Sequence, residues 1–248
     1  MSGLDWLTAR PVAHRGLHDA EKGIIENTAT AFEAAIAGRY GIECDLQVTA
    51  DDEAMVYHDD TLGRLTEGSG RLAAMNAADL KRLAFRATSD RMLTLGELCS
   101  LVAERATLVI ELKSHFDGDR RLVCRAADVL AGYRGPAAVM SFDPAQVAAM
   151  REIAPRLVRG MVAESRYLDH DWSELPAATR RAMSYFGHVL GTRPQFIAYS
   201  VKDLPATIPG LARRLFGLPL LTWTVRTDAD RQKAQRFADQ MIFEGFRP

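Results

Sequence analysis

Cysteine is scarce in this chain: Cys44, Cys99 and Cys124 are the only three in 248 residues. They are too few and too scattered for a disulfide framework, and an odd count fits a reducing compartment. No CxxC or paired Cys/His spacing points to zinc. A charge excess of one sign is also lacking. The formal net charge is -1, which argues against coating a polyanion, because nonspecific nucleic-acid binding rests on a basic surface. The doublets Arg120-Arg121, Arg180-Arg181 and Arg213-Arg214 fall in helix-like segments and read as solvated faces. Long hydrophobic runs are absent as well. Leu218 to Val225 contains Pro219 and is far shorter than the roughly 20 residues a membrane helix needs. Met1 to Arg10 has neither the basic start nor the apolar stretch of a signal peptide. The Gly-rich phosphate turn of dinucleotide-binding folds is missing too, since His14-Arg15-Gly16 stands where it would be. These absences imply a cytoplasmic protein with no nucleic-acid partner and no stable membrane insertion. They leave the oligomeric state open.

What is there is alternation. Nearly all-apolar strand-like runs, as parallel strands covered on both faces require, are separated by helical patterns. The strand candidates are Val12 to His14, Gly41 to Thr49, Ala54 to His58, Thr107 to Leu112, Ala137 to Phe142, Leu157 to Val162, Gln195 to Ser200, Leu220 to Val225 and Gln240 to Phe243. Helical spacing covers Thr28 to Ala37, Leu95 to Arg105, Arg120 to Ala131, Pro144 to Ile153, Trp172 to Leu190, Leu204 to Phe216 and Ala229 to Ala238. The pattern predicts an α/β protein, a (β/α)8 TIM barrel rather than an open doubly wound sheet. The polar, Gly-containing segment 59–92 reads as a small insertion at the barrel mouth, so that 1–248 is a single catalytic domain.

Barrel active sites lie at the C-terminal ends of the strands. That rule selects His14 and Arg15 after the first strand, Glu43 and Asp45 along the second, His58 beyond it, and Glu111 and Lys113 ending the next barrel strand. Strand side chains alternate faces, so Glu43 and Asp45 share a face, as do Glu111 and Lys113. Carboxylates in apolar strands are costly unless paired or bound to a cation. Glu43, Asp45 and Glu111 therefore read as ligands of one divalent cation, Mg2+ or Ca2+, with a salt bridge as the plain reading of Glu111 and Lys113. His14 and His58 are the proton-transfer candidates, and Arg15 offers a forked phosphate donor. The other histidines, His18, His115, His170 and His188, read as surface or packing residues, with His115 held in reserve for its closeness to Lys113.

Taken in order, His14-Arg15-Gly16, Glu26-Asn27-Thr28, Glu43-Cys44-Asp45, His58-Asp59 and Glu111-Leu112-Lys113 resemble the signature of the glycerophosphodiester phosphodiesterases. Ser141-Phe142 and Thr222 to Val225 extend the resemblance over most of the chain. It implies a TIM barrel with a small insertion after the second strand. It also implies metal-dependent hydrolysis of a small glycerophosphodiester to sn-glycerol 3-phosphate and an alcohol. His14 would be the base and His58 the acid, and Arg15 and Lys113 would contact phosphate. Glu26 would lie near the metal and orient His14 or substrate, and Trp223 would form a wall against the glycerol, with barrel packing as its plain alternative.

The chain departs from the family pattern in three places. Ile25 replaces a usual proline. Glu244 stands where an aspartate is usual, which leaves its role open. Segment 59–92 is short and less hydrophobic than lipid-gripping insertions, with Leu62, Leu65 and Leu72 as sparse candidates for an apolar rim beside Arg64 and Arg71. Two rival readings are a barrel phosphodiesterase for lysophospholipid or phosphoinositide-like substrates, and a non-catalytic phosphate binder. The second would have lost a histidine or a carboxylate, and none is missing here.

Overall fold

The computed structural model describes residues 3–168 and 172–248, so His170 lies outside the described residues. Nine strands form one sheet: β1 (Val12–Ala13), β2 (Gly41–Val48), β3 (Ala54–Val56), β4 (Leu108–Leu112), β5 (Ala137–Ser141), β6 (Val158–Ala163), β7 (Phe196–Ser200), β8 (Leu220–Val225) and β9 (Gln240–Phe243). Their order is β1-β9-β8-β7-β6-β5-β4-β2-β3, and β1 also pairs with β2, which closes the sheet. Every pairing is parallel except the β2–β3 hairpin. The result is a (β/α)8 barrel with β3 attached outside the ring.

Alternation along the strands divides the core in two. Ile42, Cys44 and Leu46 of β2 and Leu108, Ile110 and Leu112 of β4 face outward, into one apolar cluster with helix residues Phe32, Leu98 and Val123. The residues between them face inward. Val109, Ala138, Met140, Val162, Phe196, Leu221 and Ile242 fill the barrel, and Leu7 of the N-terminal helix Asp5–Thr8 joins the same cluster. Gly160 on β6 makes room for this filling, since a Cβ there would collide with the ring of the buried Phe196 on the neighbouring strand. At the C-terminal ends of β2 and β4 the inward positions are no longer apolar. They are Glu43, Asp45 and Glu111.

One sequence expectation changes. Trp172 to Leu190 is not one helix: helices span Ala177–Ser184 and Val189–Thr192. Pro176 restricts the residue before it and stands at the N-terminal cap, while Phe186 takes φ 55 and breaks the run. Segment 59–92 carries little regular structure, mainly the helix Ala77–Leu80, and gathers a small core of its own. Leu62 and Leu72 are buried in it with Leu80, Phe85 and Met92, and Leu65 packs against it. The leucines that could have formed an apolar rim point into the insertion instead. Among the described residues no helix is long and apolar enough to cross a membrane.

Candidate active site

The site begins with a strained turn. β1 ends at Ala13, after which Arg15 takes φ 55 and Gly16 φ 80. A Cβ at Gly16 would meet Ala31 at 2.9 Å, so glycine is what lets the chain turn against the following helix. The turn aims both His14 and Arg15 into the barrel mouth. The Arg15 amide donates to Glu43 Oε2 at 3.0 Å, which ties β1 to the carboxylate strand.

Glu43 and Asp45 on β2 are each 1% exposed, and Glu111 on β4 is 9% exposed. Asp45 and Glu111 are register partners, and one oxygen from each of the three carboxylates lies within 4.8 Å of the others. Desolvation together with the charges of Asp45 and Glu111 pushes the Glu43 carboxyl well above the usual carboxylate range. Against the same burial, the charges of Lys113 and Arg15 hold Asp45 far below it. Lys113 Nζ reaches Glu111 Oε1 at 2.7 Å and Asp45 Oδ1 at 2.8 Å. The ammonium thus ties the β2 and β4 carboxylates together. Three converging buried carboxylates, with one oxygen of each within 4.8 Å of the others, fit a hard divalent cation. The donor set is all oxygen, which suits Mg2+ or Ca2+.

The loop 16–28 supports this centre through three consecutive residues. Glu26 accepts from Arg15 Nη1 at 2.8 Å and from Arg64 Nη2 at 2.7 Å. Asn27, at φ 57, donates from Nδ2 to Asp45 Oδ2 at 2.9 Å and accepts from the Asp45 amide at 3.4 Å. Thr28 caps the helix Ala29–Ala37, accepting from the Ala31 amide. Glu26 thus acts on Arg15, and none of its described contacts is to His14. Asn27 carries a direct contact to a candidate ligand that sequence reasoning assigned to no residue of this motif.

The two histidines are held alike. His14 Nδ1 lies 2.8 Å from Glu244 Oε2, which also accepts from Arg226 Nη2 at 2.9 Å. His58 Nδ1 lies 2.8 Å from Asp59 Oδ1, and Arg64 grips the same carboxylate at 2.6 and 2.9 Å. Each ring thereby spends Nδ1 on a carboxylate backed by an arginine and leaves Nε2 for chemistry. His14 Nε2 is 3.9 Å from Glu43. Burial lowers the His14 pKa despite the Glu244 contact, which raises it. Against burial, the bond from His14 holds Glu244 down at about 2. Glu244 thus braces His14 from across the β9–β1 pairing.

His14, Arg15, Glu43, His58, Glu111 and Lys113 all line one cavity of about 570 Å³, and Trp223 forms part of its wall with Nε1 donating to Ala198 O at 3.0 Å. Of the histidines read as surface or packing residues, His115 lies at the cavity mouth 3.1 Å from Asp60. His18 sits beside His14 and Glu244, and His188 packs against Phe186.

A closed parallel barrel with a buried acidic trio and two braced histidines at its C-terminal mouth has the layout of a phosphoryl-transfer enzyme. The chain belongs to the glycerophosphoryl diester phosphodiesterase family, which it matches over residues 14–246. It is 26% identical over 233 residues to a glycerophosphodiester phosphodiesterase of Caldanaerobacter subterraneus, covering 90% of this chain and 88% of that one. It is 29% identical over 170 residues to mouse glycerophosphodiester phosphodiesterase 1, which is 64% of this chain and 50% of the mouse protein. An Oleispira antarctica phosphodiesterase, solved in complex with the product sn-glycerol-3-phosphate, shares the fold with a TM-score of 0.76 at 18% identity, over 96% of this chain and 94% of that one.

Proposed function

We propose that this enzyme hydrolyses small glycerophosphodiesters to sn-glycerol 3-phosphate and an alcohol, with His14 and His58 as the proton-transfer pair. The observation that carries the reading is the pairing of two carboxylate-braced imidazoles with three buried carboxylates on one cavity. Glu43, Asp45 and Glu111 are the residues that would hold a single Mg2+ or Ca2+. When bound, such a cation supplies positive charge against the phosphoryl oxygens.

His14 takes the role of base. Its lowered pKa keeps the imidazole neutral at neutral pH, and Glu244 fixes the proton on Nδ1, so that Nε2 can accept one. The nucleophile gives up its proton there as its oxygen bonds to phosphorus; it is water, or the neighbouring glycerol hydroxyl followed by opening of the resulting cyclic phosphate by water. His58, braced by Asp59, gives a proton from Nε2 to the departing alkoxide as the P–O bond breaks. Each transfer contributes on the order of 10²–10⁴-fold. Arg15 and Lys113, both facing the cavity, contact the phosphate, and Trp223 walls the glycerol. The burial of Leu62 and Leu72 favours a small substrate over a lysophospholipid. Three free thiols suit the cytoplasm.

The test is hydrolysis of glycerophosphocholine with Mg2+ or Ca2+ by wild-type protein and by His14→Ala and His58→Ala. Loss of at least about 100-fold in each variant is expected. Near-wild-type turnover in either, or full activity in EDTA, overturns the reading.

A further inference from the structure

The cavity is lined by charged side chains and by aromatic rings. Phe142 follows β5, Trp223 lies on β8, Phe116 lies in the loop after β4 and Trp172 in the loop after β6. Their centroids run in a continuous arc, with 6.2 Å from Phe116 to Trp172, 4.8 Å from Trp172 to Phe142 and 5.4 Å from Phe142 to Trp223. All four rings line the cavity and all four are only partly buried.

The arc is built in place. Trp223 is fixed by its bond to Ala198 O, and Trp172 packs at 5.1 Å against the buried Tyr167. Phe116 takes φ 58, a costly conformation for a bulky residue. It is held there by its amide donating at 3.0 Å to Ser114 Oγ, which in turn donates at 2.6 Å to Asp143. Glu164 and Glu174 line the same cavity. Among the described residues, the lysine and arginines that line it, Arg15, Lys113 and Arg226, are each engaged with carboxylates at the catalytic end.

We propose that the Phe116, Trp172 and Phe142 stretch of this arc, with Glu174, is a subsite for the alcohol half of the substrate when that alcohol carries a quaternary ammonium group, as choline does, while Trp223 at its end walls the glycerol. The proposal rests on the phosphodiesterase reading and adds to it a choice among substrates. Aromatic faces attract a cation through their quadrupole, and the Glu174 carboxylate adds to that field. A quaternary ammonium has no hydrogen-bond donors to leave unpaired against the rings. A polyol alcohol such as inositol would lose water there without gaining partners. An acyl chain would suit the rings and gain nothing from the carboxylate.

The experiment compares kcat/KM for glycerophosphocholine with that for its neutral carbon isostere, the 3,3-dimethylbutyl diester, and with that for a bis-glycerol phosphodiester. It uses wild type, Trp172→Leu, Phe116→Leu and Glu174→Gln. The choline diester should exceed the isostere by about fivefold or more, and that ratio should fall towards one in Trp172→Leu. Thermal unfolding identifies any variant that fails to fold, in which case Phe116→Leu and Glu174→Gln carry the comparison. Tetramethylammonium titration followed by tryptophan fluorescence gives a readout free of turnover, with saturable quenching expected in wild type. Equal use of choline diester and isostere, or no tetramethylammonium binding, overturns the subsite while leaving the phosphodiesterase reading intact. Binding without cleavage of any diester overturns the phosphodiesterase reading and leaves the subsite standing.

Discussion

His14 and Glu244 lie 230 positions apart in sequence and meet at 2.8 Å where β1 and β9, the first and last strands, pair in the barrel. The contact settles which nitrogen of His14 is free. Glu244→Gln replaces an ionised acceptor with an amide that can turn either its oxygen or its NH2 towards the ring. The tautomer with Nε2 free then loses its preference. We expect kcat to fall by about 10–100-fold, part of what a whole proton transfer is worth. KM should change little, because the residue acts through His14 and not on substrate. Steady-state kinetics of Glu244→Gln beside Glu244→Asp checks this, with the aspartate retaining more of kcat. A change confined to KM would remove Glu244 from this role.

Like-charge crowding in the acidic trio makes a second outcome readable. Burial and the neighbouring carboxylates raise the Glu43 pKa, so the trio without a cation carries repulsion that Lys113 and Arg15 offset only in part. Glu43→Gln relieves it and still offers an oxygen to the Arg15 amide. The metal-free variant should unfold no earlier than metal-free wild type. Saturating Mg2+ or Ca2+ should stabilise wild type, by about 2.7 kcal/mol at a hundredfold excess over Kd, and the variant far less. Thermal melts with EDTA and with each ion decide it. Equal stabilisation of both proteins would be evidence against the trio as the metal site.

Much of this centre was legible in the sequence because it follows from strand alternation alone. Glu43, Asp45 and Glu111 interrupt apolar strands with period two, and only one face of a barrel strand can hold them. What was not legible is carried by long-range closure and by loops. Nothing local to Glu244 reveals that β9 will sit beside β1. Arg64 reads as one charge among several in a polar insertion, yet it forks between Asp59 and Glu26. Asn27 was visible as part of a motif, but its bond to Asp45 depends on a positive φ that sequence does not show. The run from Trp172 to Leu190 kept helical spacing through Pro176 and Phe186, where backbone sterics override the pattern.

Arg64 is therefore a link between the two halves of the site. It joins the carboxylate that braces His58 to the one that braces Arg15. Its side chain is 47% exposed, so Arg64→Ala should cost under about 1 kcal/mol of stability. Activity should suffer more, with kcat/KM down about tenfold, because Asp59 and Glu26 both lose a partner. A cycle of Arg64→Ala and Asp59→Asn tests whether the two act together. Additive losses would show that Arg64 does not work through Asp59.

Away from the site, His188 gives the fold a dependence on pH. Burial drops its pKa from 6.5 to about 4, and its Nδ1 is buried without a hydrogen-bond partner. The unfolded chain takes up a proton near pH 6.5 and the folded protein does not until about pH 4. In that window the unfolded state binds more protons, so stability rises with pH. The contribution is fully present above 6.5 and is lost as pH falls towards 4. Urea midpoints at pH 7.5 and pH 5.0 should separate more widely for wild type than for His188→Gln. Both proteins carry the same carboxylates, so their contribution to acid lability cancels in that comparison. An identical separation in the two proteins would mean that the imidazole is solvated, and the ring would then contribute nothing to acid lability.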